Sequence, residues 1–114
     1  MSKERELKHL EMQVEEAHKI VDIADSLRRL HSNADFKKII LEQYFKEEPA
    51  RIASLTGKLQ HDEKAVSRLH NDLKAVGALQ QFFSTIYQGA AQAERLLSDA
   101  PGVRAEIEAD EEQE

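Results

Sequence analysis

Between Ser2 and His31 the apolar positions Leu7, Leu10, Val14, Ala17, Val21 and Ala24 are spaced by threes and fours, with neither Gly nor Pro in the segment. That period puts them on one stripe of an α-helix, in a heptad a/d track. A second track, Ile20, Ile23, Leu27 and Leu30, takes over toward the C-terminal half. A stripe that widens and drifts in this way belongs to a helix with more than one packing neighbour. Opposite charges at i,i+4 (Glu4/Lys8, Glu15/Lys19, Asp25/Arg29) support its exposed side. Ser32-Asn33 ends the track. Asn33 suits the N-cap of a helix beginning at Ala34, with Asp35 in its first turn facing the positive end of the dipole. Phe36, Ile39, Ile40, Phe45 and Tyr44 are its expected buried face. Pro49 disfavours helix at the residue before it and suits the first position of a new one. The pattern therefore predicts short helices from Ala34 to about Lys46 and from Pro49 to Leu55, with Gly57 as the C′ residue of the second.

From Asp62, a plausible N-cap, to Ser98 the spacing resumes through Val66, Leu69, Leu73, Val76, Leu79, Phe83, Ile86, Ala90, Ala93 and Leu97. Asp99-Ala100-Pro101-Gly102 is the expected stop. Gly77 and Gly89 lie inside this helix at a cost of roughly 1 kcal/mol each against Ala, which points to close approach of a neighbouring helix. There is no strand alternation, hairpin turn or internal repeat. The predicted fold is all-α: two long antiparallel helices flanking two short ones over residues 1–102, then a solvated acidic tail at 103–114. A last helix of ~37 residues is ~55 Å long, whereas a compact chain of this length has a radius of gyration of only ~13 Å. Such a helix outruns a compact globule, and an antiparallel pair leaves apolar stripe uncovered. Self-association, or a partner that completes the bundle, is expected.

Charge sharpens this picture. The 114 residues carry 16 bases and 22 acids, a net of −6, and residues 103–114 hold six of those acids against Arg104 alone. A nearly neutral body with an acidic end is unlike a protein that coats nucleic acid, so direct nucleic-acid binding is not expected. Zero Cys excludes a disulfide framework, a Cys-ligated zinc site and a thiol nucleophile. The longest apolar run, Ala75–Leu79, is far below a membrane span of ~20 residues, and the charged start shows no secretory signal. A soluble, cytoplasmic chain is the expectation.

Catalytic patterns are missing from the sequence. It has no G-x-S-x-G, and Ser54, Ser67 and Ser84 fall within helical pattern. Neither phosphate-cradling glycine motif is present. E-x-x-H occurs twice, as Glu6/His9 and Glu15/His18, with Asp22 one turn beyond. Di-iron bundles place one such pair on each of two helices, but here both lie on the first. The bland reading, a solvated face, is preferred, and no metal or cofactor is expected. The basic cluster Arg28, Arg29, Lys37, Lys38 and Lys46 brackets the corner at Ser32-Asn33, yet its apolar Phe36, Ile39 and Ile40 read as core rather than as a DNA-reading helix. The aromatics fall in two groups, Phe36/Tyr44/Phe45 and Phe82/Phe83/Tyr87. Adjacent Phe82 and Phe83 are about 100° apart on a helix, which leaves room for one of them to lie outside the main stripe, and an aromatic exposed there is a candidate contact for another chain. His9, His18, His31, His61 and His70 are expected to be isolated surface residues.

The segment Asn33-Ala-Asp-Phe-Lys-Lys-Ile-Ile-Leu-Glu-Gln-Tyr-Phe, with Ala50-Arg51-Ile52 and Ala75-Val76-Gly77-Ala78-Leu79-Gln80-Gln81-Phe82-Phe83, resembles small helical proteins encoded by tailed bacteriophages. The likeness covers about residues 15–100 and preserves the order long helix, corner, short helices, long helix. That family is mostly of unassigned role, so the resemblance implies a setting, the cytoplasm of an infected bacterium or the virion, and no activity. Three readings compete. One is a non-enzymatic structural or assembly protein that self-associates or docks on a virion component. Another is a host-directed regulator that binds and inhibits a bacterial protein, and a metal-dependent enzyme rests on the E-x-x-H pairs alone. The first is favoured, with Phe82, Phe83, Tyr87, Phe36 and Tyr44 as anchors and Arg28, Arg29, Lys37 and Lys38 at the rim.

Overall fold

The computed structural model describes residues 2–112 and is all-α, with no strand among the described residues. Helix α1 spans Lys3–His31, α2 Ala34–Phe36, a π-helical segment Lys37–Glu47, α3 Glu48–Lys58 and α4 Glu63–Glu112. Two compact units divide the chain: Met1–Ser26 with Ile86–Glu114, and Leu27–Thr85.

The first unit is a pairing of α1 and α4. Ile20 Cγ2 lies 3.6 Å from where a Cβ on Gly89 would sit, and Arg104 Nη2 reaches Glu11 Oε1 at 3.3 Å. The contact numbers fall on one helix as they rise on the other, so the two segments run antiparallel. Among the described residues its buried ones are Leu10, Ala17, Ala24, Ala90 and Ala93, of which four are alanines. Small side chains let two backbones approach closely but bury little apolar area. Larger groups stay outside: Met12 is 59% and Ile23 55% exposed. At Gly89 a Cβ would meet Ile20 Cγ2 in ordinary van der Waals contact, so α1 reaches this face without an approach close enough to require glycine.

The expected stop at Asp99–Gly102 does not occur, because α4 continues through Pro101 to Glu112. Proline removes one hydrogen bond and crowds the preceding turn. The apolar spacing nevertheless continues beyond it: Leu97 and Ala100 face Leu10 and Val14 around one groove, and Val103 and Ile107 face Leu10 around another. Packing against α1 carries the helix across the break. The acids Glu106, Glu108 and Asp110 are exposed, as a solvated end requires, but they stand on the continuation of α4 and not on a separate tail following a stop at 99–102. Gln113 and Glu114 lie outside the described residues.

The second unit is set by its caps. Asn33 Oδ1 accepts from Phe36 N at 3.0 Å, and Asp62 Oδ1 accepts from Ala65 N at 3.1 Å, so both expected N-caps are in place. Between them the helical run differs from expectation. Residues 37–47 form a π-helix, and the Glu48 N–H reaches back five residues to Gln43 O. A run this long is rare. It gives way to α3 at Pro49, which has no N–H. A residue without a donor is the place where an i→i+5 ladder can become i→i+4 with no N–H stranded. Accordingly no gap separates the two short helices.

Helix α3 continues past Leu55 to Lys58, and Gly57 is an ordinary helical residue rather than a left-handed C′. The chain reverses instead through a turn closed by Asp62 N to Leu59 O at 2.8 Å, which needs no positive φ. Leu27, Ile52, Leu69 and Val76 are the buried residues of this unit, Ile52 at 1% exposure. Gly77 departs from expectation, since a Cβ there meets nothing within 4 Å and no helix presses on it.

Candidate interaction surface

His31 is the hub of an aromatic corner in the second unit. Its position follows from the first track, continuing Leu10, Ala17 and Ala24 by one further heptad. The ring stands edge-on to Phe36 at 5.3 Å and to Phe83 at 5.4 Å, between ring centroids. Nδ1 lies 3.0 Å from Leu27 O, and because a carbonyl only accepts, Nδ1 carries the hydrogen. Phe36 and Phe83 are 5.9 Å apart, and Phe45 also meets Phe83 at 5.9 Å. Tyr44 packs on Phe45 at 6.0 Å. These rings are half-buried. The expectation that every histidine is an isolated surface residue therefore fails at His31. The seven-residue continuation of the buried track is the signal that reveals it.

Phe82 and Phe83 divide as their adjacency allows. Phe83 turns into the corner, while Phe82, 6.2 Å from it, is 58% exposed. Arg28 and Arg29 in the last turn of α1, and Lys37 and Lys38 just after α2, are exposed. Cations at the C-terminal end of α1 also complement its dipole, which accounts for part of their placement. Ile39, next to Lys38, is 56% exposed, so it is surface and not the core face expected. The corner thus joins Phe36, Tyr44, Phe83 and Phe82 to a basic surround. Tyr87 lies on α4 in the other unit and is half-buried there.

The charges sort by unit. Leu27–Thr85 carries ten bases against seven acids, +3; the remaining residues carry six bases against fifteen acids, −9. On the acidic unit a groove of about 460 Å³ is lined by Met12, Ala17, Ile20, Ala93 and Leu96 among others. A second, of about 580 Å³, lies between the start of α1 and the end of α4, bounded by Arg5, Glu6, His9, Leu10, Gln13, Val103 and Ile107.

The E-x-x-H residues do not converge. Glu6 and His9 border the second groove, whereas His18 faces Leu97, Pro101 and Arg104. Among the described residues no three His, Cys, Asp or Glu side chains are placed to hold a metal ion. No helix of the described residues is long and apolar enough to cross a membrane. In the second unit the Arg51 guanidinium donates to the Glu48 carboxylate, and this hydrogen bond holds the Glu48 carboxyl below its ordinary value. Compared with protein-family models, curated proteins and solved structures, the chain finds no significant match.

Proposed function

We propose that this chain acts by recognition through its helix surfaces, as a non-enzymatic structural or assembly protein of a tailed bacteriophage that associates with copies of itself. One observation carries the reading: large apolar groups face solvent while the buried set of the first unit is mostly alanine. Met12, Ile23, Ile39 and Phe82 are each more than half exposed, yet Ile52 is the one large side chain that is fully buried among the described residues. On the first unit Met12 borders an apolar groove with Ala17, Ile20, Ala93 and Leu96, and such a patch marks a protein contact. The phage setting comes from the sequence resemblance alone.

Sedimentation of the purified protein tests the association; a 13.0 kDa species at every concentration refutes it. Mass spectrometry of purified virions tests the setting, with stoichiometric copies expected and complete absence fatal to a virion role. A host-directed regulator is the second reading, favoured by Glu106, Glu108 and Asp110 standing exposed on an ordered helix that a basic bacterial protein can meet. Capture of one stoichiometric host protein, with none of the chain in virions, selects that reading.

A further inference from the structure

We infer that the copies associate head to tail, the basic aromatic corner of one chain docking on the acidic apolar end of the next. This rests on the self-association proposed above and names its two surfaces. The corner offers Phe82 and Ile39, both more than half exposed, among Arg28, Arg29, Lys37 and Lys38. Its fitting partner has an apolar recess and excess negative charge. The chain itself carries such a surface. The groove bounded by Leu10, Val103 and Ile107 has the recess, and Glu106, Glu108 and Asp110 are exposed on the same stretch of α4.

Charge decides between the possible self-contacts. A contact that joins either unit to its own copy about a two-fold sets like against like. For the first unit that means −9 facing −9, and for the second +3 facing +3. A contact between the second unit of one chain and the first unit of the next sets +3 against −9 and is attractive at long range. Complementary charge steers encounter and fixes register, while the apolar groups supply the dry centre. A heterologous contact leaves one corner and one acidic end unsatisfied at the extremities of any open assembly. It therefore propagates, as a ring if the rotation closes and as a filament if it does not.

Complementation tests this directly. Variant A is Lys37→Glu with Lys38→Glu; variant B is Glu106→Gln, Glu108→Gln and Asp110→Asn. All five positions are exposed, and far-UV circular dichroism checks that each variant keeps its helices. In sedimentation velocity at about 50 mM salt, wild type is expected to form species beyond the dimer, and to lose them at about 500 mM as charges are screened. Each variant alone associates at least tenfold more weakly. An equimolar mixture of A and B regains association, because A keeps its acidic end and B its corner, but stops at one A with one B. Phe82→Ala, which leaves charge untouched, weakens assembly and serves if variant A does not fold.

A wild type that remains monomeric overturns both this inference and the self-association beneath it. A closed dimer, association insensitive to salt, or a mixture that behaves as A and B do separately overturns the head-to-tail contact and leaves self-association standing.

Discussion

Replacing Gly77 by alanine is expected to stabilise the protein. Gly77 lies within α4, is exposed, and a Cβ added to it meets no atom within 4 Å. Its backbone is not left-handed, so alanine adopts the same conformation without strain. Only two terms remain, the helix propensity of alanine and the smaller freedom it leaves the unfolded chain, together about 1 kcal/mol. With an unfolding entropy near 2.1 cal/mol/K per residue, 114 residues give about 0.24 kcal/mol/K, and the midpoint rises by about 4 °C. Thermal melts followed at 222 nm at fixed protein concentration measure it. Gly57→Ala, equally open but near the end of α3, should gain about half as much. A lowered midpoint for Gly77→Ala refutes the reasoning, since it requires either a non-helical backbone or a neighbour pressed against that face.

Asn33→Ala removes the side chain that accepts from Phe36 N and should cost about 1 kcal/mol, read as a lower urea midpoint. Phe83→Ala strips the ring that meets His31, Phe36 and Phe45 and should cost about 2–4 kcal/mol, somewhat less than a fully buried phenylalanine; Phe82→Ala should change monomer stability by less than about 0.5 kcal/mol. Glu48 has a lowered pKa in the folded chain, so its contribution is fully present above the ordinary carboxylate value near 4.5 and disappears as pH falls through its own lower value. NMR titration of the Glu48 carboxyl should show that depression in wild type and its loss in Arg51→Ala.

Both long helices and both N-caps were legible because they depend on local spacing and on one side chain reaching one or two turns. Leu10, Ala17 and Ala24 announce their shared face by number alone, and Asn33 and Asp62 announce theirs by chemistry. Pro101 misleads because its cost is local, whereas what offsets it, Val103 and Ile107 beside Leu10, lies across on another helix. The π-segment is equally silent, since an i→i+5 ladder differs from i→i+4 in backbone register and not in composition. At the corner, sequence grouped Phe36 with Tyr44 and Phe45 and left room for Phe82 and Phe83 to part, but it counted Tyr87, which lies in the other unit, with them. It did not foresee His31 between Phe36 and Phe83, or Ile39 turned outward. Nor is the sorting of charge visible along the chain, because the −9 unit is assembled from its two ends.

The π-helical segment has a consequence for how this protein can change over generations. Each i→i+5 loop encloses one residue more than an α-helical turn. Loss of a residue between Lys37 and Glu47 converts such a loop to the tighter α form and breaks no helix on either side. Elsewhere an insertion in α1 or α4 rotates every following side chain by 100° and destroys the apolar stripe. Length variation among descendants of this gene should therefore collect in these eleven residues, beside the corner whose contacts it would retune.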